Sequence, residues 1–543
     1  MGMRRALLVV LAAALAGASG QTLYNGIRLP SAFPPRDVPI TLEPPPAPPY
    51  LVDPSAVIPI DVGRQLFVDD FLVEDSTLRR VFHRAQYFAG NPVLKADRPW
   101  EEGQAMPFSD GVFWDPRDRI FKMWYLGPGA TLYATSRDGV RWDKPALDVK
   151  PGTNIVHVGR RDSATVWLDL EDPDPGRRYK FLYSSGHNHP LVLHYSADGI
   201  HWGDPVAQSI PWSDRTTMFW NPFRKVWVLS LRAHEWVPGQ AKGDSAAIGR
   251  MRRYHESADL ARGLKFAEDE PPVWTMADRL DPRRVDLNVQ PQLYNLDAVA
   301  YESVLLGLFS IWRGQPTGRE KPNEIAAGFS RDGFHWDRPW RQAFIPVSER
   351  FGDWNWGNVQ SAGGVCLVVG DRLYFYTSGR AGVAGVRRSG NTSAGLATLR
   401  RDGFASMEAG AEAGVLTTRP VRFNGRYLFV NADAVEGELR VEALDDSGRA
   451  IEPYSRANCV PVRTGNTLQR VVWKGAADLA PLAGKPVRFR FHLRWGKLYA
   501  FWVSPEETGA SHGYIGAGGP GFLGTVDTEG SRAYANCCKP PVW

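Results

Sequence analysis

The sequence predicts an all-β chain, a five-bladed β-propeller followed by a C-terminal β-sandwich, and three observations carry that prediction. The phrase S-x-D-G-x-x-W-x-x-P occurs three times, at residues 136–145, 196–205 and 330–339, and internal repetition means one supersecondary unit used several times. Between residues 62 and 407 apolar residues alternate over short runs broken by Gly, Pro, Asp and Asn, with almost no helical period. The chain is also rich in flat aromatic plates, with 20 Trp, 18 Tyr and 25 Phe in 543 residues, suited to wedging one unit against the next.

The repeated phrase has a local logic. Asp-Gly tolerates the positive φ angles of a tight turn, and the Ser and Asp side chains can bond back to nearby amides. Two weaker copies complete the series: Ser257-Ala258-Asp259-Leu260 keeps the start, and Arg401-Asp402-Gly403-Phe404 keeps the turn. Five units are therefore expected, spaced by roughly 60 to 73 residues, longer than the repeats of the commoner propellers and leaving room for long loops.

Taken in order, residues 1–20 read as a secretory signal, with Arg4 and Arg5 before the apolar run 6–16 and the small residues Ala18-Ser19-Gly20 at the cleavage point. The expected location is secreted or periplasmic. The apolar run is shorter than the ~20 residues a spanning helix needs, so no membrane span is expected. Residues 21–61 are proline-rich and should run extended, partly as polyproline II, around the outside of the main domain. The propeller is expected over 62–407. Each repeat reads as an Asp followed by an apolar strand (110–114, 162–167), an aromatic strand (121–125, 179–183, 225–229, 373–376), a third strand leading into the turn, and a fourth after it. From residue 408 to 543 the repeat ceases and short strands with turns between them read as a β-sandwich, which caps the propeller or binds sugar.

The formal charge of +5 is small for this length and basic residues are interspersed with acidic ones, so nucleic acid is excluded as a partner. The four cysteines, Cys366, Cys459, Cys537 and Cys538, permit disulfides in an oxidising compartment, and Cys459 with one of the tail pair is the expected bridge. No Cys or His cluster has ligand spacing, so no metal site and no cofactor are expected, although a structural calcium is compatible with a propeller funnel. The expected assembly is a monomer or small homo-oligomer.

The blade phrase, the corners Phe113-Trp114-Asp115-Pro116 and Phe219-Trp220-Asn221-Pro222, and the C-terminal sandwich resemble the five-bladed propeller superfamily of glycoside hydrolase families 32, 43 and 68, which includes invertases, levansucrases and arabinanases. Gln65-Leu66-Phe67-Val68-Asp69-Asp70 is similar to a phrase of exported bacterial proteins related to family 32. The W-x-N-D-P-N, R-D-P and E-C phrases of family 32 itself are missing, which argues against invertase activity. Sialidase turns usually read S-x-D-x-G-x-x-W, one residue longer, on six blades, and are set aside.

Glycoside hydrolysis needs two carboxyl groups flanking the scissile bond. Asp110, Asp162, Asp214 and Asp297 each stand at the start of the first strand of blades one to four, and Gln360-Ser361 takes that place in blade five. Acidic residues at one end of successive inner strands would converge and perturb one another's pKa values. The resemblance implies Asp110 as base or nucleophile, Asp162 as the residue that orients substrate, and an acid in blade three, where both Asp214 and Glu235 are available. Glu302 is expected at the far end of its strand. Arg232, His234 and Arg313 are candidates for sugar hydroxyls or a carboxylate, Trp354 and Trp356 for stacking on a sugar face, and Gln360 for a polar contact. The Asp residues of the turns, Asp138, Asp198 and Asp332, are read as structural. The expected activity is thus an exported glycoside hydrolase acting on a polysaccharide or oligosaccharide, with a non-catalytic glycan- or protein-binding propeller as the alternative. A phosphorylase would need a cationic phosphate pocket, and export argues against one.

Overall fold

The structure, a computed structural model, describes residues 20–237, 248–316, 318–382 and 390–536. The signal at 1–19 and the cysteine pair 537–538 lie outside the described residues. Nearly all regular structure is β, in a succession of antiparallel sheets. The first three sheets each take four consecutive strands: Val112–Asp115 to Ile155–Val158, Ala164–Leu168 to Ala207–Trp212, and Thr217–Asn221 to Val273–Met276.

The fourth and fifth sheets depart from four strands per repeat. The fourth has three strands of its own, Gln292–Glu302, Val304–Trp312 and Glu324–Ser330, and gains Tyr514–Ile515 from far along the chain. After its turn the chain pairs only as isolated bridges, Asp337 with Phe329 and Ile345 with Ile325. Pro339 and Pro346 bring no N–H to a ladder there, and Arg338 and Arg341 are tied instead to Asp281. The fifth sheet is built from Gly357–Ser361, Leu367–Val369, Arg372–Arg380 and Thr392–Arg400, and its outer edge is covered by Gln86–Tyr87 and Leu94–Lys95 from the N-terminal side.

Neighbouring sheets touch in chain order, and the first also touches the fifth. Val166 N–H donates to Asp110 O, Thr217 Oγ1 to Leu296 O at 2.9 Å, and Val112 N–H to Gly363 O at 3.1 Å. Val112, Val166, Phe219, Leu296 and Val359, one from each sheet, share a single hydrophobic cluster.

The repeated turns make the same bonds each time. Asp138 Oδ1 accepts from the Val140 and Arg141 amides, both at 2.8 Å, and Ser136 Oγ accepts from Gly139 N–H at 2.9 Å. Residues 196–201 and 330–335 repeat this set. Each turn is also gripped by an aromatic donor of the preceding sheet: Trp124 Nε1 to Gly199 O at 2.7 Å, Trp274 Nε1 to Phe334 O at 2.7 Å, and, from fifth to first, Tyr376 Oη to Gly139 O at 2.5 Å. Gly199 has φ +80° and a Cβ there would come within 2.5 Å of the Trp124 ring, so both conformation and contact require glycine. The weak copies diverge for visible reasons: Asp259 caps the short helix Leu260–Gly263, and Asp402 is drawn into a buried ion network.

Two further sheets follow. One contains Tyr427–Asp433, Gly496–Ser504 and Ala405–Ala409, the other Gly414–Thr418, Arg488–Arg494 and Glu438–Leu444. Residues of both, among them Leu428, Phe501, Phe489 and Val441, share a second hydrophobic cluster. Residues from before the first repeat join these sheets: Gln65–Leu66 pairs with Phe501 and Ala500, Val73–Ser76 with Gly414–Thr418, and Arg79–Phe82 with Ala405–Ala409. Asp69 of the Gln65–Asp70 phrase forms a buried ion pair with Arg331 of the fourth turn at 2.7 Å. The proline-rich segment is not wholly external: Leu23, Ile27, Leu29, Tyr50 and Ile58 join the second hydrophobic cluster, while Pro45, Pro48 and Pro49 line one pocket with Val273–Met276 and Phe334–Trp336. Among the described residues no helix is long and apolar enough to cross a membrane. Cys366 and Cys459 are buried and form no disulfide among the described residues, and the bridge expected at Cys459 involves a tail that lies outside them.

Candidate functional site

Asp110, Asp162 and Asp214 lie just before the first strands of the first three sheets, where the repeat puts them. Asp297 does not stand at a strand start, because its strand begins five residues earlier at Gln292 and Asp297 lies mid-strand. It nevertheless joins the same cluster. Asp297 Oδ2 accepts from Ser109 Oγ at 2.9 Å, Asn295 Nδ2 at 3.0 Å and Ser361 Oγ at 2.5 Å, and Ser109 is the residue before Asp110.

Arg215 sits at the centre. Fully buried, it donates to Ser109 Oγ at 3.2 Å, Phe108 O at 3.2 Å and Gln360 Oε1 at 2.5 Å, and its guanidinium lies 3.7 Å from the centre of the Phe108 ring. Burial pushes its pKa down, and the charges of Asp297, Tyr294, Asp162 and Asp110 oppose that. Asp110 is also fully buried, with one oxygen taken by the Phe108 amide at 2.9 Å and the other by Arg161. Desolvation lifts Asp110 to about 6 against the pull of Arg161. Burial likewise raises Asp297, opposed by Arg215 and its three donors. Asp162 is half-buried, and its Oδ1 has no hydrogen-bond partner.

Third-sheet parity decides what else reaches the cluster. In the hairpin of Val226–Trp236 with Ile248–Ser257, Arg232 is opposite Arg252 and His234 opposite Arg250, so these four share a face. Arg232 pairs with half-buried Asp214 and donates to His234 Nε2 at 2.8 Å. Partial desolvation, then the charges of Arg232 and Arg250, push His234 down to about 4, so the ring is neutral at pH 7.

Glu235, one residue on, points to the other face. There it pairs with Arg253 at 2.6 Å, on the side where Ala233, Met251 and Val273 pack against Val38 and Ile40 of the N-terminal segment. It is not part of the cluster. Arg313 is also elsewhere, held by Glu324 at 3.4 Å and by Pro282 O. Trp354 packs edge-on to Tyr87 at 5.5 Å beneath the fifth sheet, and Trp356 lies under Arg319 at 5.0 Å. Gln360 is within the cluster, bonded to Arg215 and to Asn358 at 2.8 Å. Glu302 ends its strand in a separate network with Arg64 and Arg401.

Residues that the sequence reading passed over complete the site: Arg161, Arg215, Arg250, Arg252, Tyr294 and Lys321. The Tyr294 hydroxyl accepts from Lys321 Nζ at 2.9 Å, and its ring lies 5.7 Å from the guanidinium carbons of both Arg232 and Arg250. The alternation Arg232-x-His234 and Arg250-x-Arg252 was a readable signal for one cationic strand face. No group of three metal-ligating side chains occurs among the described residues.

No family model matches the chain, and no curated protein matches it. Among solved structures it is similar to an N-acetylgalactosamine deacetylase from F. plautii in complex with blood group B trisaccharide, at 14% identity over 61% of this chain and 96% of that one, TM-score 0.38. It is also similar to a β-1,2-mannobiose phosphorylase from Listeria innocua, at 12% identity over 58% and 96%, TM-score 0.38. A third is a member of the GH130 mannoside phosphorylase family, which contains glycoside hydrolases that target β-1,2 mannosidic linkages in Candida mannan, at 14% identity over 59% and 94%, TM-score 0.37. Likeness this distant fixes neither substrate nor reaction.

Proposed function

We propose that residues 62–407 form a five-bladed β-propeller, that 408–543 form a β-sandwich to which the 65–82 segment contributes strands, and that the protein is an exported, secreted or periplasmic glycoside hydrolase whose site is the aspartate cluster. The observation that carries this reading is Asp297. One oxygen is fixed by three donors, while no hydrogen bond holds the other among the described residues. Burial raises its pKa, which suits a carboxyl that must hold a proton at Oδ1 and deliver it to a glycosidic oxygen. Asp162, half-buried with an unpartnered Oδ1, is the second working carboxyl, as base or nucleophile. Asp110, expected in that role, has both oxygens engaged and instead positions Arg161. Asp214, tied to Arg232, orients the cationic face rather than serving as acid.

The test is a glycoside and oligosaccharide screen of the full chain beside Asp297→Asn and Asp162→Asn. Each substitution should lower kcat by about 10²- to 10⁴-fold with Tm preserved. Undiminished turnover in both variants sinks the assignment. A second reading, a propeller that binds glycans without cleaving them, is favoured by the arginine locks on Asp110 and Asp214, which suit holding a ligand more than moving protons. It predicts glycan binding with no turnover of any glycoside.

A further inference from the structure

The cluster has more positive charge than its carboxylates answer. Arg215, Arg250, Arg252 and Lys321 have no carboxylate within 4.0 Å among the described residues, and only Arg232 on the third-sheet face is paired, with Asp214. Gln292 and Trp312 stand beside Arg250: Arg250 Nη1 donates to Gln292 Oε1 at 2.5 Å and its guanidinium lies 4.9 Å from the Trp312 ring. Among the described residues the buried cluster atoms left without hydrogen bonds include the donors Gln292 Nε2, Trp312 Nε1, Arg161 Nη1, Arg215 Nε, Arg232 Nε, Arg250 Nε and Arg252 Nη1 against the acceptors Asp162 Oδ1, Asp214 Oδ1 and Asn295 Oδ1. Donors predominate. Buried donors ask for an acceptor, and several cations beside them ask for a charged one.

Tyr294 registers the same field. Burial alone would raise its pKa, yet Lys321 first, then Arg215 and Arg232, bring it below the ordinary phenol value. Cations that stabilise negative charge on the Tyr294 oxygen stabilise it on any other anion placed there as well.

We infer that the ligand of this site carries an oxyanion group, a carboxylate, sulfate or phosphate, held by Arg232, Arg250 and Lys321 beside Tyr294. The inference rests on reading the aspartate cluster as a glycan site and adds the chemical class of the ligand. Two guanidinium groups and an ammonium around the Tyr294 ring take oxyanions by charge-assisted hydrogen bonds, whereas a neutral sugar would leave Arg250 and Lys321 without a counter-charge.

The experiment is calorimetric titration and thermal shift on the full chain with neutral oligosaccharides, oligogalacturonides, sulfated oligosaccharides and inorganic phosphate as probes. At least one anionic probe should bind about tenfold or more tightly than the neutral ones, and Arg250→Gln or Lys321→Gln should weaken it by about tenfold. Lys321→Arg, which keeps the charge, should retain binding, so a loss caused by misfolding is separable. Binding of phosphate alone places the oxyanion on a free co-substrate, and binding of the uronate or sulfated sugar places it on the glycan. Equal binding of neutral and anionic probes, no binding of any anionic probe, or indifference to both Gln substitutions overturns the inference. Anion binding without turnover of any glycoside would instead remove the hydrolase reading and leave this one standing. Turnover of neutral glycosides that ignores Arg250→Gln would do the reverse.

Discussion

One strand, Gln292–Glu302, touches two clusters of buried charge, and they are built on opposite plans. At its far end Glu302 meets Arg64 and Arg401, Arg64 also meets Asp402 at 2.9 Å, and Arg401 also meets Asp527 at 2.9 Å. Tyr301, Ser511 and Asn431 complete that network with bonds of 2.6 to 2.9 Å. Around Asp297, by contrast, most of the cations lack a carboxylate. The same residue type responds in opposite directions. Burial works against the charge of Arg64 and Arg401, yet their acidic neighbours more than offset it and both are raised. Burial and neighbouring arginines push Arg252 well down. A network in which each charge meets its opposite holds a fold together, and one with unpaired cations is arranged for something that arrives.

The strongest test of this contrast is Arg401→Met. It strands Asp527 in the interior, leaves Glu302 with Arg64 alone, and should cost about 3–5 kcal/mol in denaturant unfolding. A loss below about 1 kcal/mol would show that the two clusters are not different in kind.

A smaller effect is expected from Asp110→Asn in the open cluster. Asp110 rises to about 6 from 3.8, so below pH 6 the folded state keeps a proton that the unfolded chain has released. Its stabilising contribution is full below pH 3.8 and is lost as pH rises through 6. Wild-type stability relative to the variant should therefore fall by about 2–3 kcal/mol between roughly pH 4 and pH 7, read from paired urea curves. Parallel curves would mean that Arg161 cancels the burial effect.

The smallest effect is expected from Arg252→Met. Arg252 has no carboxylate partner to abandon but donates hydrogen bonds to Ser230 Oγ at 2.9 Å and Arg215 O at 2.7 Å, so its replacement by an apolar side chain should cost about 1–2 kcal/mol. A loss as large as that of Arg401→Met would make the cationic face a structural element and remove the contrast.

The repeated turn was legible because its chemistry is local: Ser, Asp and Gly within four residues make nearly all of its bonds. Register from those turns led to Asp110, Asp162 and Asp214 for the same reason. The strands that cover the fifth sheet were not legible, since Gln86–Tyr87 and Leu94–Lys95 are two residues long and their partners lie some three hundred positions away. Glu235 and His234 were both candidates, and because neighbouring residues of a strand face opposite ways, His234 enters the cluster and Glu235 leaves it. Asp297 joins the cluster although its strand starts earlier than expected, because it shares a strand face with Asn295. Arg215 was passed over because a buried arginine without a carboxylate has no sequence signature of its own.

The edge strands 86–95 bear on the order in which this chain can be made. They are synthesised before any repeat, and their partners Ser393, Ala394, Ala397 and Thr398 come after the fifth repeat has begun. Residues 65–82 wait longer still, for strands as late as Gly496–Ser504. Non-local pairing of this kind is paid in loop-closure entropy before any contact rewards it, so folding is slow and finishes only when the chain is nearly whole. Removing residues 414–504 would leave Gln65–Leu66 and Val73–Ser76 unpaired, and a fragment ending after the last repeat should expose those edges and aggregate rather than yield a smaller working protein.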